Sequence, residues 1–221
     1  MSKSDEGTSG LDKYGLVNSN TETYNSKTTG TQSDTRGITW YCFVIDKAGN
    51  KGTNNTGNFK VDTKSPTCRV NKDGTSGSNG WYKGRKVDLS LETNDPGAEN
   101  SGVENYTLTT STTASYNKKD SASQDNTTGV KWYGYVRDNA GNTGKCNSGN
   151  FKVDRSSPTC RIDSYGYRCS TGGESARVGC SENGPSGLNK CAGASGSSST
   201  KTGLKGNVTY TVTDKIGRAH V

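Results

Sequence analysis

The sequence predicts an all-β protein made of tandem antiparallel β-sandwich modules. Three observations carry this: a strict internal repeat, short runs that alternate apolar and polar residues, and no helical periodicity. Trp40 recurs as Trp132, Asp46 as Asp138, NFKVD at 58–62 as NFKVD at 150–154, and SPTC at 65–68 as SPTC at 157–160, each 92 positions on. Laid over 93–154 without gaps, residues 1–62 share about 27 identities with it, far above chance in a chain rich in Ser, Thr and Gly. The expected organisation is the C-terminal part of one copy at 1–62, a complete copy at 63–154 and a truncated third copy at 155–214. Residues 215–221 stand apart.

The complete copy can be read in order. TKSPT at 63–67 is a linker, because Pro66 keeps the chain before it extended and out of a helix. CRV follows as a first short strand. VDLSLET at 87–93 puts Val87, Leu89 and Leu91 on one face and Asp88, Ser90 and Glu92 on the other, the mark of a half-buried strand. NDPGAENSG is a turn-rich loop, YTLTT at 106–110 is the next strand with Tyr106 and Leu108 inward, and VKWYGYVRD runs into a D-x-A-G-N turn before the return strand that ends NFKVD. Comparing copies orients the penultimate strand. The set Trp40, Cys42, Val44, then Trp132, Gly134, Val136, then Val208, Tyr210, Val212 stays mostly apolar, whereas Tyr41, Phe43, Ile45 drift through Tyr133, Tyr135, Arg137 to Thr209, Thr211, Thr213. The first set is expected inside, with Tyr133 and Tyr135 on the outer face.

Only 26% of residues are hydrophobic, so each module should have a thin core of one inward face per strand. The net charge of +7 is spread along the chain and forms no Lys/Arg block, which predicts a solvated surface and no nucleic-acid partner. No apolar run is long enough to span a membrane, and MSKSDEGTSG does not read as a signal peptide. In D-x-A-G-N, Gly49 and Gly141 supply positive φ and the aspartate accepts backbone amides, so a hairpin device is the first reading. A Ca²⁺-ligand role for Asp46 and Asp138, with Asp62 and Asp154, is the weaker alternative to no cofactor at all, because Ca²⁺ wants six to eight oxygens and no loop here resembles an EF-hand.

The S-G-[LV] loops (Ser9-Gly10-Leu11, Ser101-Gly102-Val103, Ser186-Gly187-Leu188), the D-x-A-G-N hairpins and the VD-x-x-x-P linkers resemble bacterial immunoglobulin-like repeats of surface and secreted proteins, mainly Gram-positive ones. The resemblance covers nearly the whole chain. It implies immunoglobulin-like sandwiches, an extracellular or cell-surface setting, and a stalk, spacer or adhesive role. After Asp214 the family pattern calls for x-A-G-N, but the chain reads KIGRAHV, which matches one translated frame of a common sequencing adapter. Residues 216–221, with or without Lys215, are therefore expected to be foreign, and the only histidine, His220, with them. Met1 aligns with Thr93, so the first copy is expected to lack its linker and first two strands.

Without a native histidine, no Ser/His/Asp or Cys/His nucleophile can be assembled, and no Gly-rich phosphate loop has the strand-to-helix setting it needs. No catalytic residue is expected, and the chain is not expected to be an enzyme. The seven cysteines include no C-x-x-C pair, which argues against zinc. Cys68 in the first strand and Cys146 in the last can meet, because those edge strands run near one another in immunoglobulin-like sandwiches. Cys180 takes the inward place of Leu91 and Cys191 that of Tyr106, so a core-spanning bridge is open to them; the alternative is buried thiols. Cys160 repeats Cys68, Cys42 points inward and Cys169 has no assigned partner.

The leading functional expectation is a non-enzymatic extracellular scaffold or adhesion repeat facing a cell-wall or host-surface component. The alternative is a glycan-binding module using Trp81, Tyr82, Tyr133 and Tyr135, since aromatic faces stack on sugars; accessory repeats of a larger secreted enzyme are the third reading.

Overall fold

The structure, a computed structural model, describes residues 4–168, 173–204 and 209–220, and every regular element among them is a β-strand. Short runs rich in Thr, Val and Tyr, punctuated by Gly and Asn, favour this outcome. By contacts the chain divides into two compact units, one of residues 1–67, 93–105 and 136–144, the other of 68–92, 106–135 and 145–221.

The first unit contains β1 (Leu11–Val17), β2 (Thr35–Ile38), β3 (Tyr41–Asp46), β4 (Lys51–Asn55) and β5 (Phe59–Val61). Strands β1, β3 and β4 form an antiparallel sheet in that order, with Tyr14 opposite Val44 and Leu16 opposite Cys42, and β2 pairs with β5. Leu16, Trp40, Cys42 and Phe59 line an open groove of about 610 Å³.

The 63–154 copy supplies β6 (Thr67–Ser76), β7 (Trp81–Asn94), β8 (Val103–Thr109), β9 (Ser121–Gln124), β10 (Thr127–Val130), β11 (Tyr133–Asp138), β12 (Thr143–Asn147) and β13 (Phe151–Asp154). One sheet has the order β10-β13-β7-β6 with β9 also on β7, and a second has the order β12-β11-β8. Their shared core is Val70, Val87, Leu89, Leu91, Leu108, Trp132, Phe151 and Val153, so the face read from alternation is the buried one. Here Leu108, Trp132 and Phe151 pack in one cluster with the β7 side chains, whereas their counterparts Leu16, Trp40 and Phe59 line the open groove. Not every pair is antiparallel: β13 runs parallel to β7, with Lys152 opposite Trp81 and Asp154 opposite Lys83. Strands so far apart in the chain have the long connection that parallel pairing requires.

Residues 155–220 supply β14 (Thr159–Arg168), β15 (Gly173–Ser181), β16 (Leu188–Cys191), β17 (Ser198–Leu204), β18 (Val212–Asp214) and, beyond the expected end of the third copy, β19 (Ala219–His220). They make two antiparallel sheets, β14-β15-β17 and β16-β18-β19, around Val178, Cys180, Cys191, Ala192 and Val212.

Two disulfides reinforce these thin cores. Cys68–Cys146 joins β6 to β12 with Cα atoms 5.6 Å apart, and Cys180–Cys191 joins β15 to β16 at 5.7 Å. The loops they close span 78 and 11 residues; on chain-entropy grounds they contribute about 4–5 and about 3 kcal/mol. Cys42 and Cys160 are free thiols. Cys169 and Val208 lie outside the described residues. Among the described residues no helix is long and apolar enough to cross a membrane.

Candidate metal centre

The site is assembled from three repeated motifs. In each D-x-x-G-x turn the aspartate carbonyl accepts the amide of the glycine three residues on, at 3.1 Å for Asp46–Gly49, 3.2 Å for Asp138–Gly141 and 3.3 Å for Asp214–Gly217. The carboxylate Oδ1 then accepts the next amide, at 2.8 Å in all three, from Asn50, Asn142 and Arg218. The glycines have φ of 91°, 94° and 82°, a region that a Cβ disfavours. The segment after Asp214, expected to break the pattern, therefore closes the same turn. What the backbone needs is the aspartate and the glycine three positions later, and Gly217 meets that need. Each turn is also braced by its S-G loop: Lys47, Asn139 and Lys215 donate their amides to the carbonyls of Gly10, Gly102 and Gly187 at 3.0, 2.9 and 3.0 Å.

The third motif is the aspartate closing NFKVD. Asp62 Oδ2 accepts the Ser101 amide at 2.6 Å and Oδ1 that of Lys64 at 3.1 Å. This draws it to Asp138, whose carboxylate is fully buried and holds Asn142 Nδ2 at 2.9 Å; the same Nδ2 donates to the Asp62 carbonyl at 3.0 Å. Asp95 completes the group from the NDPGAENSG loop. Its Oδ2 accepts the Gly102 amide at 2.6 Å and its carbonyl accepts Asn100 Nδ2 at 2.7 Å. Asp62, Asp95 and Asp138 bring one carboxylate oxygen each to within 4.8 Å of one another.

Hydrogen bonds from Ser101, through its side chain and amide, hold the Asp62 carboxyl below the usual carboxylate range. Burial pushes Asp95 above it; the Gly102 amide opposes this, and the charges of Asp62 and Asp138 add to it. Asp95 is 9% exposed, and its Oδ1 has no hydrogen-bond partner among the described residues. Three converging carboxylates with one bare buried oxygen form a hard, anionic donor set of the kind that suits Ca²⁺ or Mg²⁺ rather than zinc.

In the next copy the counterparts of Asp62 and Asp138 are Asp154 and Asp214, and Glu182 lies near them. Asp154 Oδ2 accepts the Ser186 amide at 3.0 Å, as Asp62 does that of Ser101. Here a cation is present: Arg218 places Nη2 2.9 Å from Asp154 Oδ1 and Nε 2.7 Å from Asp214 Oδ2, with Asp154 and Asp214 fully buried and Arg218 9% exposed. Burial alone would raise the Asp154 pKa, but the hydrogen bonds from Ser186 and Arg218 prevail and lower it. Glu182 is raised, first by burial; its Oε1 accepts the Gly184 amide at 2.8 Å. A Cβ on Gly184 would stand 2.1 Å from Asp154 Oδ1, so this position has room only for glycine.

The four aromatic residues predicted to face a ligand do not form one surface. Trp81 and Tyr82 lie on β7, and Tyr133 and Tyr135 on β11, in different sheets. Tyr82 packs edge-on against Phe151 at 5.8 Å as part of the core, and Trp81 carries Lys152 over its ring at 5.4 Å. Tyr133 and Tyr135 stack at 6.4 Å under Lys145. Tyr135, expected on the outer face, is only 7% exposed. Its hydroxyl donates to the Thr112 carbonyl at 2.5 Å, so the chain after β8 covers it.

Of the four acids named from sequence, Asp62 and Asp138 meet in one cluster and Asp154 takes its place in the other, while Asp46 is tied to its own turn and to the Ser9 hydroxyl. Asp95 was missed, because it sits in a loop where one acid among turn residues carries no periodic signal. No family model matches the chain, and no curated protein matches it.

Proposed function

We propose that the chain is a non-enzymatic extracellular stalk or adhesion scaffold of stacked immunoglobulin-like sandwich modules, facing a cell-wall or host-surface component. One observation carries this reading. The aspartate that closes one copy caps the S-G loop of the next, through Asp62 Oδ2 to the Ser101 amide and again through Asp154 Oδ2 to the Ser186 amide. A spacer needs this repeated local fastening of successive copies, and an enzyme does not. The two disulfides suit an oxidising, exported setting and reinforce the thin cores they cross.

The test is to place one, two or four copies of residues 63–154 between a bacterial wall anchor and an epitope tag. Antibody access to the tag is expected to rise stepwise with copy number. Access that does not depend on copy number would refute the stalk. Glycan-array binding that is lost in a Trp81→Ala variant would favour the sugar-binding alternative instead.

A further inference from the structure

We propose that Asp62, Asp95 and Asp138 form a binding site for a single Ca²⁺ ion. Two independent observations point to a cation. The first is Asp95: a carboxylate 9% exposed, with Oδ1 lacking any partner among the described residues, and with a carboxylate oxygen within 4.8 Å of one from each of Asp62 and Asp138. A buried carboxylate oxygen normally has a donor or a metal, because leaving it bare forfeits its hydration without compensation. The second is the corresponding cluster one copy later, where the aspartates equivalent to Asp62 and Asp138 hold the Arg218 guanidinium at 2.9 and 2.7 Å. The same arrangement of acids thus accepts a positive charge where one is in reach.

Among the described residues no side-chain cation forms an ion pair with Asp62, Asp95 or Asp138. Lys64, whose charge acts on Asp62, is paired with Asp34 at 3.8 Å. Asn142, which occupies the sequence position of Arg218, brings an uncharged amide.

The donors and their spacing select the ion. All three are carboxylate oxygens, which rules against soft or borderline metals. Three protein carboxylates with oxygens within 4.8 Å of one another suit Ca²⁺, whereas Mg²⁺ keeps several waters and usually takes one or two carboxylates. Three carboxylates leave coordination positions for water or backbone oxygens, as in extracellular modules of modest affinity. The ion would tie together three chain segments far apart in sequence, so binding should stabilise the unit that holds them. This inference rests on the site alone and stands whether or not the chain is a stalk.

The test uses the full chain, stripped with EDTA and titrated with CaCl₂ by isothermal calorimetry. One ion per chain is expected, with a dissociation constant of about 0.1–1 mM, and 10 mM Ca²⁺ should raise the melting temperature by about 3 °C or more. Asp95→Asn should weaken binding at least about tenfold, yet melt no lower than wild type in EDTA, because it removes the buried uncompensated charge. A merely structural Asp95 would show the opposite, a lower melting temperature with Ca²⁺ binding intact. Should Asp95→Asn fail to fold, Asp62→Asn at the half-exposed member gives the same reading of affinity. The proposal is overturned by no heat and no melting shift in wild type at 10 mM Ca²⁺, by unchanged affinity in the variants, or by Mg²⁺ binding as tightly as Ca²⁺.

Discussion

The Asp62/Asp95/Asp138 and Asp154/Glu182/Asp214 clusters are built by the same turn and linker motifs and differ in two residues, the loop acid (Asp95 or Glu182) and the residue after the turn glycine. Position five of the D-x-x-G-x turn is Asn142 in the first and Arg218 in the second. Asn142 bridges Asp138 to the Asp62 carbonyl through a neutral amide and leaves Asp95 Oδ1 bare. Arg218 puts a charge between Asp154 and Asp214. Arg218 lies in the segment that the sequence marks as foreign to the pattern, yet its amide closes the same turn and its side chain pairs with the carboxylates around it. The difference teaches that the backbone scaffold is indifferent to the fifth residue, while the electrostatics of the cluster are not.

The largest effect should come from removing that charge. Arg218→Ala leaves Asp154, Asp214 and Glu182 together without a counterion, and breaking a buried pair from one side costs about 3–5 kcal/mol. Urea unfolding in EDTA should show this loss. Calorimetry of the same variant should show a second Ca²⁺ per chain, because the cluster then matches the first. The loss also has a pH signature. The folded-state pKa of Asp154 is depressed below its ordinary value of 3.8, so its contribution is fully present above that value and disappears as pH falls through the depressed one. The gap between wild type and Arg218→Ala should therefore narrow on acidification below about pH 4.

The reciprocal exchange sharpens the comparison. Asn142→Arg gives the first cluster the guanidinium of the second, and should raise stability in EDTA by about 1–2 kcal/mol while abolishing the response to Ca²⁺. A variant that gained stability and kept its Ca²⁺ titration would separate the guanidinium position from the ion position.

The smallest effect tests what the two regions share. Gly141→Ala and Gly217→Ala each force a Cβ into positive φ, at 94° and 82°, and each should cost about 1–2 kcal/mol. Near-equal losses in thermal unfolding would show that the turn is the same device in both places. A markedly larger loss at Gly217 would mean that Arg218 depends on the turn more than Asn142 does.

Much of the fold was legible in the residues. The alternation Val87, Leu89, Leu91 named the buried face, and the substitution of Cys180 and Cys191 at inward positions anticipated the bridge between them. These are local signals, because a strand's period of two assigns its faces without reference to the rest of the chain. Tyr135 shows where such reasoning stops. Alternation put it on the outer side of its strand, but whether that side meets solvent depended on the path of the Ser111–Thr112 segment, which carries no pattern of its own. Asp95 is the same lesson at the site: its loop is turn chemistry in sequence, and its meeting with Asp62 and Asp138 is a matter of three-dimensional closure.

By itself, then, the sequence determined the strand-rich class, the repeat spacing, the inward faces and the turn chemistry at Gly49, Gly141 and Gly217, since each depends on covalent geometry and near neighbours. Only the tertiary structure decided which carboxylates share a buried space, that a guanidinium is seated among one cluster and not the other, and that Tyr135 is covered. Electrostatic meaning arises from distance and burial, and both are set by contacts between segments that the chain keeps far apart.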